Sequence, residues 1–350
     1  MSSPLPNFWG LRLADLEACK PPVHAPGLYA RLMRAGAFER AEAPLGRAAR
    51  EFTEGSFDLA LPLVESSRRS ADGSTKLVFR LADGALVEAV HMPRAVKNAR
   101  VTLCISSQVG CAMGCTFCHT ATMGLVRNLE AHEIVGQVVA MLRTCGPHVL
   151  GRVSVVFMGM GEPLHNLAHV ERAVAILSDE AGLSIPEGRI TVSTSGLVPG
   201  IEAMASWARR PTLALSLNAT TDEARTRLMP VTKKWGLKQL RRALLEYPQR
   251  SHEKITLEYV LLRGENDTPA DAARLGDFVR GYRHHVNVIP FNDYEGARFS
   301  EPAESTLESF LQCLYDAGCL ATVRRSRGRD VGAACGQLVR PGRASPRVGV

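Results

Sequence analysis

Three cysteines in the first half of the chain have the spacing of a metal-cluster site. Cys111, Cys115 and Cys118 lie four and then three residues apart, and the aromatic Phe117 precedes the last of them. Three close thiolates suit a [4Fe–4S] cluster whose fourth iron has no cysteine ligand and is therefore open to a substrate or cofactor. Structural zinc is the main alternative, but it requires four ligands, and no second cysteine pair lies nearby. The spacing predicts an iron–sulfur site.

Two further cysteines could take part in chemistry. Cys335 lies in a loop of small residues, 332–337, where the neighbouring glycine gives a ligand close access. Taken alone, a surface thiol is the simplest interpretation. Paired with Cys104, seven residues before Cys111, it could instead form a reversible dithiol. We expect the other cysteines to be packing residues: Cys19, Cys145, Cys313 and Cys319.

The elements that must position these thiols follow a repeating pattern from residue 100 onward. Continuous apolar runs, typical of strands in a parallel sheet covered by helices, alternate with helical patterns. Six β/α units fall short of the eight of a closed barrel, so we predict an α/β fold with an open, partial (β/α)6 TIM-like barrel. The predicted strands are 101–106, 153–158, 189–194, 212–217, 255–261 and 286–291. The predicted helices are 131–143, 166–179, 197–207, 236–246, 269–281 and 304–317.

The first 96 residues have a different character. Short helices are expected near 28–37 and 44–52, and three strands joined by turns at 71–73 and 82–84 are expected after them. The predicted domains are a small helical accessory domain over 1–60, a β-hairpin extension over 61–96, the barrel core over 97–340 and a flexible tail over 341–350.

Small and polar residues follow the predicted strands, which is where such a fold puts its chemistry. Glu162 can accept a hydrogen bond from an ammonium group, although a helix-capping role is the alternative. Hydroxyl side chains such as Ser193 can bind a carboxylate or a ribose. The candidate binding segments at these ends are 159–163, 193–196 and 216–218, together with Asn292.

The charge of the chain favours an acidic partner. Its 42 Lys and Arg exceed its 35 Asp and Glu, for a formal net charge of +7, and nucleic acid is the first candidate. Basic residues cluster at 233–234, at 241–242 and at 324–329. The last cluster immediately precedes the Cys335 loop, where phosphate contacts would steer RNA towards the thiol. Solvated helix faces explain the other two equally well.

The location of the protein is predicted from what its sequence lacks. There is no apolar run of 18 residues and no signal peptide at the N-terminus. We therefore expect a cytoplasmic protein that does not associate with membranes, in which cysteines stay reduced and clustered thiols serve metal or redox chemistry.

Several segments together resemble one enzyme family. Cys-x3-Cys-x2-Cys with an aromatic residue before the third cysteine is the signature of the radical S-adenosylmethionine (SAM) enzymes. The segments TLCISSQVGC, VFMGMGEPLHN, ITVSTSGLVPGI, LSLNATTDEARTRLMPV and AACGQL resemble the RlmN/Cfr family of RNA adenosine methyltransferases. The resemblance covers roughly residues 75–340. It implies the partial barrel, a [4Fe–4S] cluster, SAM, an RNA substrate and a small helical RNA-binding domain at the N-terminus.

The resemblance also implies residue roles. Cys335 would carry a methyl group, Cys104 would release the product by forming a disulfide with Cys335, and Glu88 would accept a proton from the base. For Glu88, an outward-facing charge on an alternating strand is the alternative. The implied cluster ligands are Cys111, Cys115 and Cys118. The implied SAM contacts are Gly161, Glu162, Ser193, Ser216, Leu217, Asn218 and Asn292.

The implied reaction is methylation of carbon 2 of an adenosine in 23S rRNA, in tRNA or in both, with two SAM per turnover. A monomer served by an external electron donor such as flavodoxin or ferredoxin and by a thiol reductant is expected. Cfr-like methylation at carbon 8 and action on another RNA are alternatives within the family. Outside it, the rivals are a zinc-stabilised RNA-binding protein and a radical SAM enzyme that acts on a small molecule or a peptide.

Overall fold

The computed structural model describes residues 5–38, 45–94, 100–143 and 152–339, so Cys145 and the predicted tail over 341–350 lie outside the described residues. Its strands are β1 (Leu63–Arg69), β2 (Thr75–Arg80), β3 (Leu86–Arg94), β4 (Arg100–Cys104), β5 (Gln108–Gly110), β6 (Leu125–Asn128), β7 (Val153–Phe157), β8 (Ile190–Thr194), β9 (Thr212–Ser216), β10 (Ile255–Leu261), β11 (His284–Pro290) and β12 (Ala321–Val323). Its helices are α1 (Leu13–Ala18), α2 (Ala25–Phe38), α3 (Arg47–Ser56), α4 (Ala131–Leu142), α5 (Leu167–Ser178), α6 (Val198–Ala205), α7 (Asp222–Leu228), α8 (Leu237–Glu246), α9 (Pro269–Phe278) and α10 (Glu304–Asp316).

One ten-stranded sheet organises the described residues, in the order β1-β2-β3-β4-β7-β8-β9-β10-β11-β12. The strands from β4 to β12 pair in parallel, whereas β1 to β4 pair antiparallel, and β5 and β6 form a separate hairpin. The predicted strands and helices of the barrel are present with closely similar bounds. The sequence prediction missed β12, because a three-residue strand followed by basic residues contains no continuous apolar run.

The barrel strands alternate between an apolar outer face and a more polar inner face. In β10, Ile255 and Leu257 are fully buried against the helices, while Thr256 and Glu258 line a cavity inside the barrel. This alternation follows from the strand period of two, because successive side chains point to opposite faces. The interior of the barrel is therefore a polar chamber.

The N-terminal helices pack onto the barrel through α4. That helix is apolar on almost all sides and is buried over nearly its whole length, as expected for a helix covered on two faces. Phe8 and Trp9 belong to the same apolar core, and Arg172 of α5 donates to the carbonyl of Gly10 at 2.7 Å and to Asp15 at 2.7 Å. The division of residues 1–60 from the rest as a domain stays a prediction.

The C-terminal segment returns to the barrel mouth and is fastened to the β1–β3 extension. Arg327 donates to the carbonyls of Asp72 and Pro93, and Lys76 donates to the carbonyl of Gly332 at 3.1 Å. The segment thus closes the gap between the two edges of the partial barrel. Among the described residues, no helix has both the length and the apolarity needed to cross a membrane.

Candidate active site

The three clustered cysteines lie on a loop whose ends are held by the β5–β6 hairpin. Gly110 has a φ of +78°, and a Cβ there would come within 1.9 Å of the carbonyl oxygen of Gly124. The N–H of Cys111 donates to that same oxygen at 2.8 Å. A side chain at residue 110 would therefore break the closure of the loop, which is why the sequence has glycine there.

The three thiols border one cavity with residues from the strand ends. We call this space of about 160 Å³ the strand-end cavity. It is lined by Cys111, Cys115 and Cys118 together with Glu162, Ser193, Ser216 and Asn218. No three His, Cys, Asp or Glu side chains in the described part of the chain are arranged to hold a single metal ion. A donor set of three thiols facing hydroxyl, amide and carboxylate groups fits a thiolate-ligated cluster beside a polar cofactor.

Burial controls the charge of these thiols. It raises the pKa of Cys111 to about 12, and it also raises the pKa values of Cys115 and Cys118, with the neighbouring thiols adding to the shift for Cys111 and Cys115. The thiols are therefore protonated at neutral pH unless a cation binds them. Cluster binding must displace these protons, because thiolates are the ligands of iron–sulfur clusters.

Glu162 is buried, and its carboxylate accepts hydrogen bonds from two backbone N–H groups. One oxygen accepts from the N–H of Leu164 at 3.1 Å and the other from the N–H of Ser195 at 2.7 Å. Burial nevertheless raises the pKa of Glu162, against the lowering effect of these hydrogen bonds. The helix-capping role and the binding role are thus compatible, since a carboxylate has about four lone-pair sites.

Gly161 precedes Glu162 in a conformation that favours glycine. Its φ is +103°, and a Cβ would lie 2.6 Å from the Cβ of Gln108. Gln108 in turn accepts from the N–H of Glu162 through its side-chain oxygen at 2.8 Å. Close packing of these two segments fixes the Glu162 carboxylate against the end of β8.

The end of β9 contributes through both side chains and backbone. Ser216 and Asn218 line the strand-end cavity, whereas the side chain of Leu217 is fully buried in the core. Asn218 has a φ of +58°, which asparagine tolerates better than most residues. Its side-chain oxygen accepts from the N–H of Val260 at 2.8 Å, so the residue also joins β9 to β10.

Asn292 holds the loop that contains Cys335. Its side-chain amide donates to the carbonyl of Cys335 at 3.1 Å and to the hydroxyl of Ser326 at 2.9 Å. The backbone of His119, next to Cys118, donates to the carbonyl of Gly336 at 2.7 Å. The Cys335 loop is therefore tied directly to the loop of the three clustered cysteines.

Cys335 lies between two cavities. It lines the strand-end cavity and also a larger space of about 540 Å³ inside the barrel, which we call the barrel cavity. The barrel cavity is lined by Cys104, Glu258, Asn287, Thr322 and Arg324, among others. Cys104 and Cys335 are both free thiols and face this shared space, although 231 residues separate them in the chain.

The guanidinium group of Arg324 lies in the same cavity as this thiol pair. Arg324 lies 3.3 Å from the carboxylate of Glu258, and Glu258 also accepts from Asn287 at 3.0 Å. Burial raises the pKa of Cys104 to about 12, Cys335 adds to this rise, and the positive charge of Arg324 opposes it. In return, the charge of Cys335 is the largest cause that raises the pKa of Arg324. The guanidinium thus offsets part of the cost that burial places on a Cys104 thiolate.

The basic cluster at 324–329 differs from the sequence prediction. Arg324 points into the barrel because it continues the inward face of β12, one position beyond the end of that strand. Its three neighbours are paired with acids: Arg325 with Glu304, Arg327 with Asp72 and Arg329 with Glu301. Phosphate contacts by these three would have to replace the acids.

Glu88 lies on β3 behind the Cys335 loop and is buried. Its carboxylate is 2.8 Å from the ammonium group of Lys76 and accepts from the N–H of Val339 at 2.9 Å. Burial raises the pKa of Glu88, and Lys76 opposes the rise. Neither cavity is lined by this carboxylate. Contact with a base requires Val339 and its neighbours to move aside.

Comparisons with known proteins agree with this geometry. The model of the radical SAM superfamily matches residues 105–276. A probable dual-specificity RNA methyltransferase RlmN of Koribacter versatilis is 44% identical over 303 residues, covering 83% of this chain and 87% of that protein. The dual-specificity RNA methyltransferase RlmN of Anaeromyxobacter dehalogenans is 43% identical and covers 95% of this chain and 90% of its own length.

A solved structure extends the similarity to the fold. The crystal structure of a radical SAM methyltransferase from Sphaerobacter thermophilus has a TM-score of 0.87 and 38% identity, covering 97% of this chain and all of that one. The predicted partial barrel is confirmed, and so are the predicted cofactors, a [4Fe–4S] cluster and SAM. RNA is the substrate class. The chain belongs to the RlmN family of radical SAM RNA methyltransferases.

Proposed function

We propose that the protein methylates carbon 2 of an adenosine in structured RNA, with Cys335 as the methyl carrier. The observation that carries this proposal is the position of Cys335, which lines both the cavity of the clustered thiols and the barrel cavity that contains Cys104. A thiol at that junction can meet SAM on one side and a base on the other. The cluster ligands are Cys111, Cys115 and Cys118.

The barrel cavity has the size and the polarity to receive a nucleobase. About 540 Å³ lies within the range of small-molecule sites, and hydroxyl and amide groups line much of it. A base inside an RNA fold reaches such a chamber only after unstacking or flipping. Structured RNA with a loop adenosine is therefore the substrate that we propose.

Ring carbon 2 lies between two nitrogens and is too electron-poor to attack the methyl group of SAM directly. When bound, the cluster and SAM supply the radical chemistry that such a carbon needs. Cys335 acts first as a nucleophile that accepts a methyl group, and it then holds that methyl group against the base. Arg324 lines both cavities together with Cys335 and so places a positive charge near the reacting sulfur, and the ion pair with Glu258 keeps the guanidinium in place.

The radical chemistry would join the methyl carbon to ring carbon 2 with loss of one hydrogen from each, which leaves a methylene bridge between Cys335 and the base. Cys104 then frees the product. Its sulfur bonds to the Cys335 sulfur as the bond from that sulfur to the methylene carbon breaks, and the released electron pair stays with the carbon, which takes a proton. Glu88 accepts the proton that leaves the ring carbon. The resulting disulfide needs two electrons from an external thiol reductant before the next turnover.

The names of the relatives also bear on the substrate. They are called dual-specificity RNA methyltransferases, and we propose 23S rRNA, tRNA or both as the substrates of this chain. The helical region at the N-terminus would bind the RNA. A monomer receiving electrons from a flavodoxin or ferredoxin completes the proposal.

Mass spectrometry of the product nucleosides tests this function. Anaerobically reconstituted protein is incubated with SAM, a reductant, and rRNA or tRNA from cells that lack the activity. We expect 2-methyladenosine with the unaltered protein and none with Cys335→Ala. Formation of 8-methyladenosine, or methylation by the Cys335→Ala variant, would overturn the proposal.

A further inference from the structure

Arg225 of α7 is a fully buried cation beneath the strand-end cavity. Its guanidinium donates to the carbonyl of Ser195 at 2.6 Å, to that of Leu217 at 2.9 Å, to that of Ser216 at 3.2 Å and to the hydroxyl of Thr232 at 2.9 Å. These acceptors are neutral groups, and three of them belong to the ends of β8 and β9. The residue therefore ties together the two strand ends that border the cavity.

The positive charge of Arg225 has no carboxylate beside it. Asp222 acts on it electrostatically, but its carboxylate accepts from the N–H of Leu237 at 2.7 Å and makes no ion pair with Arg225 in the described structure. Arg210 provides a contrast, because it is also buried yet lies 3.1 Å from Glu253 and over the ring of Tyr247. An unpaired buried charge is costly, so the charge of Arg225 needs another partner.

The clustered thiols are the groups that can partner this charge. Burial lowers the pKa of Arg225 to about 10, and Cys115 is the largest influence that opposes this lowering. Arg225 still carries its proton at neutral pH. The geometry agrees, because Ser195 and Ser216, whose carbonyls accept from the Arg225 guanidinium, line the strand-end cavity together with Cys111, Cys115 and Cys118.

We propose that Arg225 is the buried counter-charge of the iron–sulfur cluster and sets how readily the cluster is reduced. This rests on the proposed ligands Cys111, Cys115 and Cys118. Three thiolates give the cluster a net negative charge, which grows on reduction. A fixed cation nearby therefore stabilises the reduced form more than the oxidised form. Arg225 is a positioning residue that also holds the ends of β8 and β9.

Redox titration of the cluster, followed by electron paramagnetic resonance in the absence of SAM, tests the inference. Arg225→Gln keeps hydrogen-bond donors but removes the charge, and it should lower the equilibrium constant of reduction about tenfold, which is 59 mV for one electron. Arg225→Lys keeps the charge and should stay within about threefold of the unaltered protein. Arg210→Gln is the matched control, since it removes a buried arginine from elsewhere and should leave the potential unchanged.

Two results would overturn the role of Arg225: an unchanged potential in Arg225→Gln, or a shift in Arg225→Lys as large as in Arg225→Gln. If Arg225→Gln does not fold or hold iron, Arg225→Lys decides alone, because a tenfold shift contradicts the proposal and a shift within threefold supports it. Iron and sulfide analysis of Cys115→Ala tests the ligand assignment separately from the role of Arg225. Full cluster content in that variant would refute the ligand assignment itself.

Discussion

The two cavities that share Cys335 are built in different ways. Apart from Cys335, the strand-end cavity takes its thiols from one short loop and most of its other groups from the ends of consecutive strands, so these parts are ordered by local turns and by one sheet edge. The barrel cavity is lined by residues of β4 and of the C-terminal segment, which come from opposite ends of the barrel. The contrast suggests that cofactor binding is robust to local change, whereas methyl transfer depends on the docking of one loop.

Replacement of Cys335, the thiol that both cavities share, should have the largest effect, because it should separate RNA methylation from SAM cleavage. Cys335→Ala should abolish RNA methylation but leave slow cleavage of SAM, because the strand-end cavity keeps its three thiols. Nucleoside mass spectrometry and deoxyadenosine formation measure the two activities. Cys313→Ala, on α10, is the control and should retain both. Normal methylation by Cys335→Ala would show that the cavities are not linked through this thiol.

Removal of Cys104 should block only the last step. Cys104→Ala should accumulate protein joined covalently to RNA and complete at most one transfer per enzyme, because Cys104 is the one thiol besides Cys335 that lines the barrel cavity among the described residues. A denaturing gel before and after ribonuclease treatment detects the adduct. Clean release of methylated RNA would contradict the role of Cys104.

The strand-end cavity should be sensitive to a single methyl group at one glycine. Gly161→Ala forces a Cβ to within 2.6 Å of Gln108, in addition to the strain of a positive φ. Gly84→Ala has the same sign of φ with no atom within 4 Å, so it serves as the control and should cost about 1–2 kcal/mol. Thermal unfolding should show a larger loss for Gly161→Ala, and calorimetry should show weaker SAM binding for that variant alone.

Asp72, which bonds to the segment before the Cys335 loop, should make a small, pH-dependent contribution to the free energy of unfolding. Burial raises the pKa of Asp72. The hydrogen bonds from Ser74 and Gly328 and the charge of Arg327 lower it by more, so the net result is a fall from 3.8 to about 2. Because the folded pKa is the lower one, Asp72 stabilises the fold above pH 3.8, and this contribution disappears as the pH falls through about 2. The stability difference between the unaltered protein and Asp72→Asn should shrink over that range in urea unfolding.

The same variant can show whether the loop itself is loosened. At neutral pH, Asp72→Asn should cost about 1 kcal/mol or less, since the pair with Arg327 is 3.5 Å apart and partly exposed. It should also speed the reaction of Cys335 with a thiol reagent. Asp83→Asn removes a comparable surface pair with Arg127 and should leave that rate unchanged. Equal rates in both variants would mean that Asp72 does not hold the loop.

Particular residues show where sequence reasoning reached its limit. The cysteine spacing and the apolar runs predicted the candidate cluster loop and the barrel, because both signals are local. Arg324 belongs to the basic cluster for which phosphate contacts were predicted, and its place beside Cys335 in the barrel cavity was not predicted, since β12 is too short to recognise. Arg225 resembles a solvent-exposed residue of a short charged helix, and nothing in its neighbours along the chain indicates full burial.

The sequence by itself determined the chemistry that the chain can perform, because thiol spacing, glycine placement and strand periodicity act over a few residues. Only the tertiary structure decided which of these groups meet. It brought Cys104 and Cys335 to one cavity, put Arg324 in that cavity with them and buried Arg225 against the ends of β8 and β9. Such encounters depend on sheet register and on the closure of a distant loop, which no short stretch of sequence encodes.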